Sequence, residues 1–276
     1  MSTRKQATST FLAFLMLLEC KAAVALNNMA VTMMERSCYD QAYATLRDAA
    51  AATKLLLESA SSGNTAQSIE TQISVKIEQA NHRAAKPDAC TQKVPVHGLW
   101  DDTDFCKERS DFALQRFGSS KIYFDIGGIT TNENFTGGYT MIRIGEEHLE
   151  RDFALATCCI LFNLSVATIV QAQIANSTTL AVKLKHGGVA ILLVCQDLLE
   201  AQFRENVKDP IVIHHTFNIS WLVFRQLTRS LVICGRNEEA NRVMSAFAEL
   251  FQIARKLDCN ISRSLFEDAR DFAAAA

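Results

Sequence analysis

Hydrophobic and polar positions recur at helical intervals along most of this chain. One apolar stripe has its members three, four and three positions apart, at Tyr39, Ala42, Leu46 and Ala49. This is the period of one face of an α-helix. The same period predicts helices over about 21–36, 38–59, 65–86, 146–175, 180–206, 210–235 and 240–254, with a last helix beginning near Ser264. The predicted fold class is therefore all-α.

Residues 87–146 interrupt this pattern. The stretch contains no helical period, but "KIYFDIGG" and "GGYTMIRIG" each resemble a short strand, and a polar loop separates them. Short alternating apolar runs bounded by glycine are typical of a β-hairpin. We therefore predict an irregular insertion that holds a short β-hairpin.

Composition narrows the class of protein. The chain has 276 residues, of which 49% are hydrophobic and 21% are charged, with only 3 prolines and 11 glycines. This is typical of a globular helical protein. A net charge of −2 gives no electrostatic case for nucleic acid as a partner. The nine cysteines are scattered without a C-x-x-C motif, which favours reduced, buried thiols and a cytoplasmic location.

Two apolar segments leave an alternative location open. "FLAFLMLL" follows Arg4 and Lys5, as in a signal peptide, and five Asn-x-Ser/Thr sequons would matter if the chain were secreted. The stretch from Phe153 to Val182 has no charged residue, so a membrane span near 154–174 is the second alternative. Packed helices are the preferred interpretation of both segments, so we expect no membrane partner.

No motif for a known catalytic chemistry is present. The sequence lacks the Gly-rich phosphate-binding and dinucleotide-binding motifs, the G-x-S-x-G elbow and H-E-x-x-H. Cys158-Cys159 lies in an apolar helix, where packing is expected and not redox work. We therefore predict no enzyme activity, no cofactor and no metal, with an enzyme of unrecognised type as a further alternative.

One helix-turn-helix pattern occurs twice. "LNNMAVTM" from Leu26 is followed by Ala42-x3-Leu46, and "FRQLTRSL" from Phe224 is followed by Ala240-x3-Met244. Ala30 precedes Ala42 by twelve positions, as Thr228 precedes Ala240, and Ser37 and Gly235 hold the same place in the turn. Small residues at such places let paired helices approach closely.

At these residues the chain resembles tetratricopeptide-repeat (TPR) proteins, and a loose set of uncharacterised eukaryotic helical-repeat proteins. The likeness rests on 27–46, on "FNL" at 162–164 and on 235–240. It implies one TPR-like domain over 1–276, an antiparallel helix-hairpin array. Within it we expect a first repeat (21–59), the insertion (87–146), a degenerate repeat (147–206) and a last repeat (210–258).

The resemblance also implies a protein–protein interaction scaffold that binds a peptide or partner protein in its concave groove. The residues expected to line the groove are Asn27, Asn28, Val31, Met34, Glu35, Asn163, Arg225 and Arg229. Asn28 and Asn163 hold equivalent positions, where they either bind a peptide backbone or tie helices together. Arg225 and Arg229 lie one turn apart and either hold a partner carboxylate or form a solvated or internally paired cationic face.

Overall fold

Seven helices make up nearly all of the described part of the chain. The computed structural model describes residues 20–34, 36, 38–62, 66–85, 124–126, 139–144, 153–205 and 210–256. This confirms the predicted all-α class. The helices are α1 (20–34), α2 (Tyr39–Ser62), α3 (Ala66–Ala84), α4 (Phe153–Ile174), α5 (Thr178–Glu205), α6 (Pro210–Ile233) and α7 (Asn237–Lys256).

Two three-residue strands lie within the region predicted as an insertion. Strand β1 (Phe124–Ile126) pairs antiparallel with β2 (Tyr139–Met141), so that Phe124 lies opposite Met141. They fall in the two sequence stretches from which a hairpin was expected. The chain continues from β2 through Ile144, and the rest of 87–146, apart from these two stretches, lies outside the described residues.

The first and last hairpins share one turn geometry. In the first, the Cys38 N–H donates to the Met33 carbonyl (2.9 Å); in the last, the Arg236 N–H donates to the Leu231 carbonyl (2.9 Å). Gly235, which directly precedes Arg236, has a φ of 72°. This is the left-handed conformation that closes a helix and that glycine adopts without strain. Gly235 therefore closes α6, and the same backbone hydrogen bond spans both turns.

Helix α4 is the centre of the described core. It packs against α2, α5, α6 and β2, and its buried residues lie around its whole circumference. Such a helix must be apolar on every side. By length and composition alone α4 and α5 are both apolar enough to cross a membrane, but the apolar window of α4 is 83% buried inside the protein and that of α5 is 22% buried.

Helices α4 and α5 pack closely against each other at Gly188. A Cβ placed on Gly188 would lie 2.8 Å from Cγ1 of Ile169 and 3.4 Å from the Ser165 carbonyl oxygen. Farther along the same contact, Cys158 and Cys195 direct their thiols at each other's carbonyl oxygens, both at 3.7 Å. Glycine at 188 is therefore required by the packing, although it lowers helix propensity.

Polar contacts fasten α3 to α2. Asp48 on α2 forms ion pairs with Lys76 (3.2 Å) and Arg83 on α3. The Arg83 Nε also donates to the Thr45 hydroxyl at 3.3 Å. Since these side chains are only partly exposed, the cluster is screened less by solvent than a pair on the open surface.

An aromatic cluster joins α6 to α7. The Phe247 ring on α7 lies 4.6 Å from the Trp221 ring and 5.4 Å from the Phe224 ring, measured between centroids. Both distances are in the range where tilted aromatic pairs attract. The last hairpin is therefore held by its own apolar contacts as well as by its turn.

We predict opposite effects for alanine at the two adjacent glycines of α5. Gly187→Ala should raise the free energy of unfolding by about 0.5–1 kcal/mol, because alanine favours helix and nothing lies within 4 Å of its added Cβ. Gly188→Ala should lower it, because an overpacking cost of about 1–3 kcal/mol exceeds the helix gain. Urea denaturation measures both, and equal effects would contradict the close approach at Ile169.

Candidate functional site

Three buried asparagines meet at the junction of α1 and α4. Asn27 and Asn28 lie on α1 and Asn163 on α4, and they are 0%, 9% and 0% exposed. We call these three residues the asparagine clamp. Buried amides in a helical core need hydrogen-bond partners, since each unsatisfied polar group costs about 1–3 kcal/mol.

Asn163 binds both polar backbone groups of Ile142. Its Oδ1 accepts from the Ile142 N–H at 2.7 Å, and its Nδ2 donates to the Ile142 carbonyl at 2.6 Å. The side-chain amide thus satisfies the donor and the acceptor of one residue together. A neighbouring β-strand makes this same pair of bonds.

Asn28 repeats the arrangement two residues farther along the segment. Its Oδ1 accepts from the Ile144 N–H at 2.9 Å, and its Nδ2 donates to the Ile144 carbonyl at 2.8 Å. In an extended chain, residues two apart present their backbone groups to the same edge. The spacing from Ile142 to Ile144 therefore matches an extended backbone lying across α1 and α4.

Asn27 connects the two bidentate contacts. It accepts from Asn163 Nδ2 (2.8 Å), and its own Nδ2 donates to the Ile142 carbonyl (3.0 Å) and to Asn28 Oδ1 (3.2 Å). The three amides and the two isoleucine peptides form one continuous network. Networks of this kind are stabilising only when every member is satisfied.

Arg143 lies between Ile142 and Ile144 in the sequence, and its side chain adds a contact to α1. It is 6% exposed, and its guanidinium donates to the Thr32 hydroxyl on α1 at 3.0 Å. The same hydroxyl donates to the Asn28 carbonyl at 3.1 Å. Thr32 therefore links the arginine of the bound segment to the helix that carries the clamp.

The clamp can bind peptide backbone without reading side chains, and here it binds the chain's own segment. Met141, Ile142 and Ile144 are 0%, 0% and 3% exposed, so the segment belongs to the core. Asn28 and Asn163 bind the chain's own backbone, and Asn163 also joins α4 to α1 through Asn27. Binding of a partner peptide at these residues stays a prediction. The position expected for a partner peptide at these residues is occupied by residues 142–144.

The other predicted groove residues are dispersed. Val31 and Met34 are 0% and 1% exposed, so they lie in the core and not on an open groove surface. Arg225 and Arg229 on α6 are half-buried and take no part in the clamp. Glu35 lies outside the described residues.

Two members of the site were not predicted from the sequence. Thr32 and Arg143 belong to segments with no local signal for contact, since they are more than a hundred residues apart. A usable signal was present in α1, where two adjacent asparagines stand among apolar residues. Buried amides require partners, so this pair points to a backbone or side chain brought there by the fold.

The cysteines differ from expectation at one position. Cys38 is disulfide-bonded, which differs from the reduced thiols that the sequence favours. Cys20, Cys158, Cys159 and Cys195 form no disulfide, and all four are buried. Burial raises the pKa of the Cys20 thiol from 9.0 to about 11, because the thiolate is poorly solvated. That thiol is protonated and unreactive at neutral pH.

No metal-binding group of three or more His, Cys, Asp or Glu residues occurs within the described ranges. Comparison with known proteins adds no assignment, because the chain matches no protein-family model, no curated protein and no solved structure.

We predict that Asn163→Asp destabilises the protein by about 3–5 kcal/mol, the usual cost of a buried charge without a partner. The carboxylate lacks the two N–H donors of the Asn163 amide. It faces the Ile142 carbonyl oxygen and Asn27 Oδ1, which also carry negative partial charge. Urea denaturation followed by circular dichroism measures the loss.

Asn176→Asp is the matched control, because Asn176 is exposed in the turn between α4 and α5. It should change the free energy of unfolding by less than about 0.5 kcal/mol. If the two aspartates have the same effect, the clamp does not hold the segment as described.

Proposed function

We propose that this protein is a non-enzymatic interaction scaffold, a TPR-like array of helix hairpins that binds an extended peptide of a partner protein in its groove. The asparagine clamp is the observation that carries the proposal. It supports the proposal because three side-chain amides on the first helices of two hairpins bind an extended backbone by five hydrogen bonds. The framework therefore has the chemistry of peptide binding, with its own segment as the occupant.

The partner peptide is proposed to bind along α6. The turns of the first and last hairpins superimpose in sequence register, so Arg225 corresponds to Asn27 and Arg229 to Val31. Both arginines therefore lie on the face of α6 that is equivalent to the clamp face of α1. Their guanidinium groups bind carboxylates with two parallel hydrogen bonds. The proposed ligand is an extended peptide that carries acidic side chains.

We predict that Arg225→Glu/Arg229→Glu abolishes this binding. Peptide phage display on the immobilised protein should enrich acidic sequences, and fluorescence anisotropy of an enriched peptide should show at least a hundredfold loss of affinity. Reversing two charges removes about 1.5–3 kcal/mol for each charged hydrogen bond and adds repulsion.

Arg242→Glu is the matched control. Arg242 lies on α7 and not on α6, and its side chain is 76% exposed, so affinity should change little. Enrichment of peptides without acidic residues, or equal losses in both variants, contradicts the proposed groove.

The secretory-pathway alternative has one observation in its favour. Disulfides persist mainly in oxidising compartments, and Cys38 is disulfide-bonded. We propose a cytoplasmic location because five of the described cysteines form no disulfide. Four of these five are buried. The two alternatives differ in the redox state of one residue.

We predict that in protein isolated from its source under alkylating conditions, Cys38 is oxidised if the chain enters the secretory pathway and alkylated if it is cytoplasmic. Peptide mapping with and without reductant measures the fraction. Cys195, which is buried and free, should be reduced in either case and serves as the internal control. A fully alkylated Cys38 removes the support for the secretory alternative.

A further inference from the structure

Helix α5 carries an apolar stripe beside the face that it buries against α4. Its buried face contains Gly188, Leu192, Cys195 and Leu199. The stripe consists of residues four, three, four, three and four positions apart: Leu180, Leu184, Gly187, Ile191, Val194 and Leu198. Leu180 and Val194 are each 49% exposed, and the other four members are half-buried. A Cβ at Gly187 would meet nothing within 4 Å.

The spacing of the stripe is that of a two-helix seam. Alternating intervals of four and three define the a and d positions of a coiled coil, and the stripe extends along about 27 Å of helix. The intervals are the same when counted from either end. An identical helix running in the opposite direction therefore presents matching positions, as a two-fold axis requires.

Charge favours the antiparallel arrangement. Lys183 and Asp197 flank the same side of the stripe, seven residues before and seven after Ala190. All three are exposed. In an antiparallel pair, residues flanking the same side of the seam meet, so each Lys183 faces Asp197 of the second copy around the small Ala190. A parallel pair instead sets Lys183 beside Gly188, which offers no charge.

We propose that the stripe on α5 is the interface of an antiparallel, two-fold dimer of this chain. The occupant of the exposed apolar positions is the α5 stripe of the second copy, and two Lys183–Asp197 ion pairs fix the direction.

The first test is the molar mass in solution. Multi-angle light scattering should give a dimer for the full chain at micromolar concentration and a monomer for Val194→Glu. Val232→Glu is the matched control, because Val232 is 53% exposed on α6 and lies outside the stripe, so that variant should stay dimeric. A monomeric full chain overturns the proposal.

The second test separates a dimer seam from an intramolecular contact. Lys183→Glu and Asp197→Lys should each raise the dimer dissociation constant about tenfold, because like charges then meet at two symmetric places. The double variant should restore it. Failure of the double variant to restore the dimer overturns the antiparallel register. A lower urea midpoint for monomeric Val194→Glu than for dilute, monomeric wild-type protein means that the chain itself covers the stripe, and this also overturns the proposal.

Discussion

The fold depends on satisfying the backbone of one buried extended segment. Residues 142–144 lie in a helical core, where none of the described residues forms a strand at the edge that faces α1 and α4. Without partners, their N–H and carbonyl groups would cost several kcal/mol. Asn28 and Asn163 supply the donors and acceptors of the missing strand, and Asn27 joins them. The amides therefore fix how α1, α4 and the end of the insertion meet.

Helix α4 can lie at the centre of the core because its neighbours leave space for its side chains and bind its buried amide. Gly188 removes the side chain that would strike Ile169, and Asn163 is the polar residue that faces the clamped segment. Elsewhere α4 buries apolar or small side chains, including the adjacent Cys158 and Cys159. A helix that is enclosed on every side has the hydropathy of a membrane span. This explains the signal at 154–174, since its apolar window is 83% buried.

Local rules predicted the local parts of this structure. Helical period located the described helices to within a few residues, except for the start of α4, which is described from Phe153 and not from 146. The helix predicted from Ser264 lies outside the described residues. Gly235 closes α6 as its lack of a side chain allows. The clamp was predictable only in part. Sequence pattern placed Asn28 and Asn163 at equivalent positions, but their hydrogen bonds join residues as many as 116 positions apart. No local propensity encodes such a contact. The exposed side of α5 was missed for the same reason, because burial depends on which helices pack around it.

Because residues 142–144 occupy the asparagine clamp, the proposed partner peptide has to bind elsewhere. A segment tethered to the same polypeptide is present at an effective concentration far above that of a free peptide, in the millimolar range for a short linker. The clamped segment also buries Met141, Ile142 and Ile144, which a competing peptide would have to replace. An external ligand therefore gains little at α1 and α4. Helix α6 carries Arg225 and Arg229 at the positions that correspond to Asn27 and Val31 of α1. This is why the proposed peptide site lies along α6, where binding does not require the segment to be displaced.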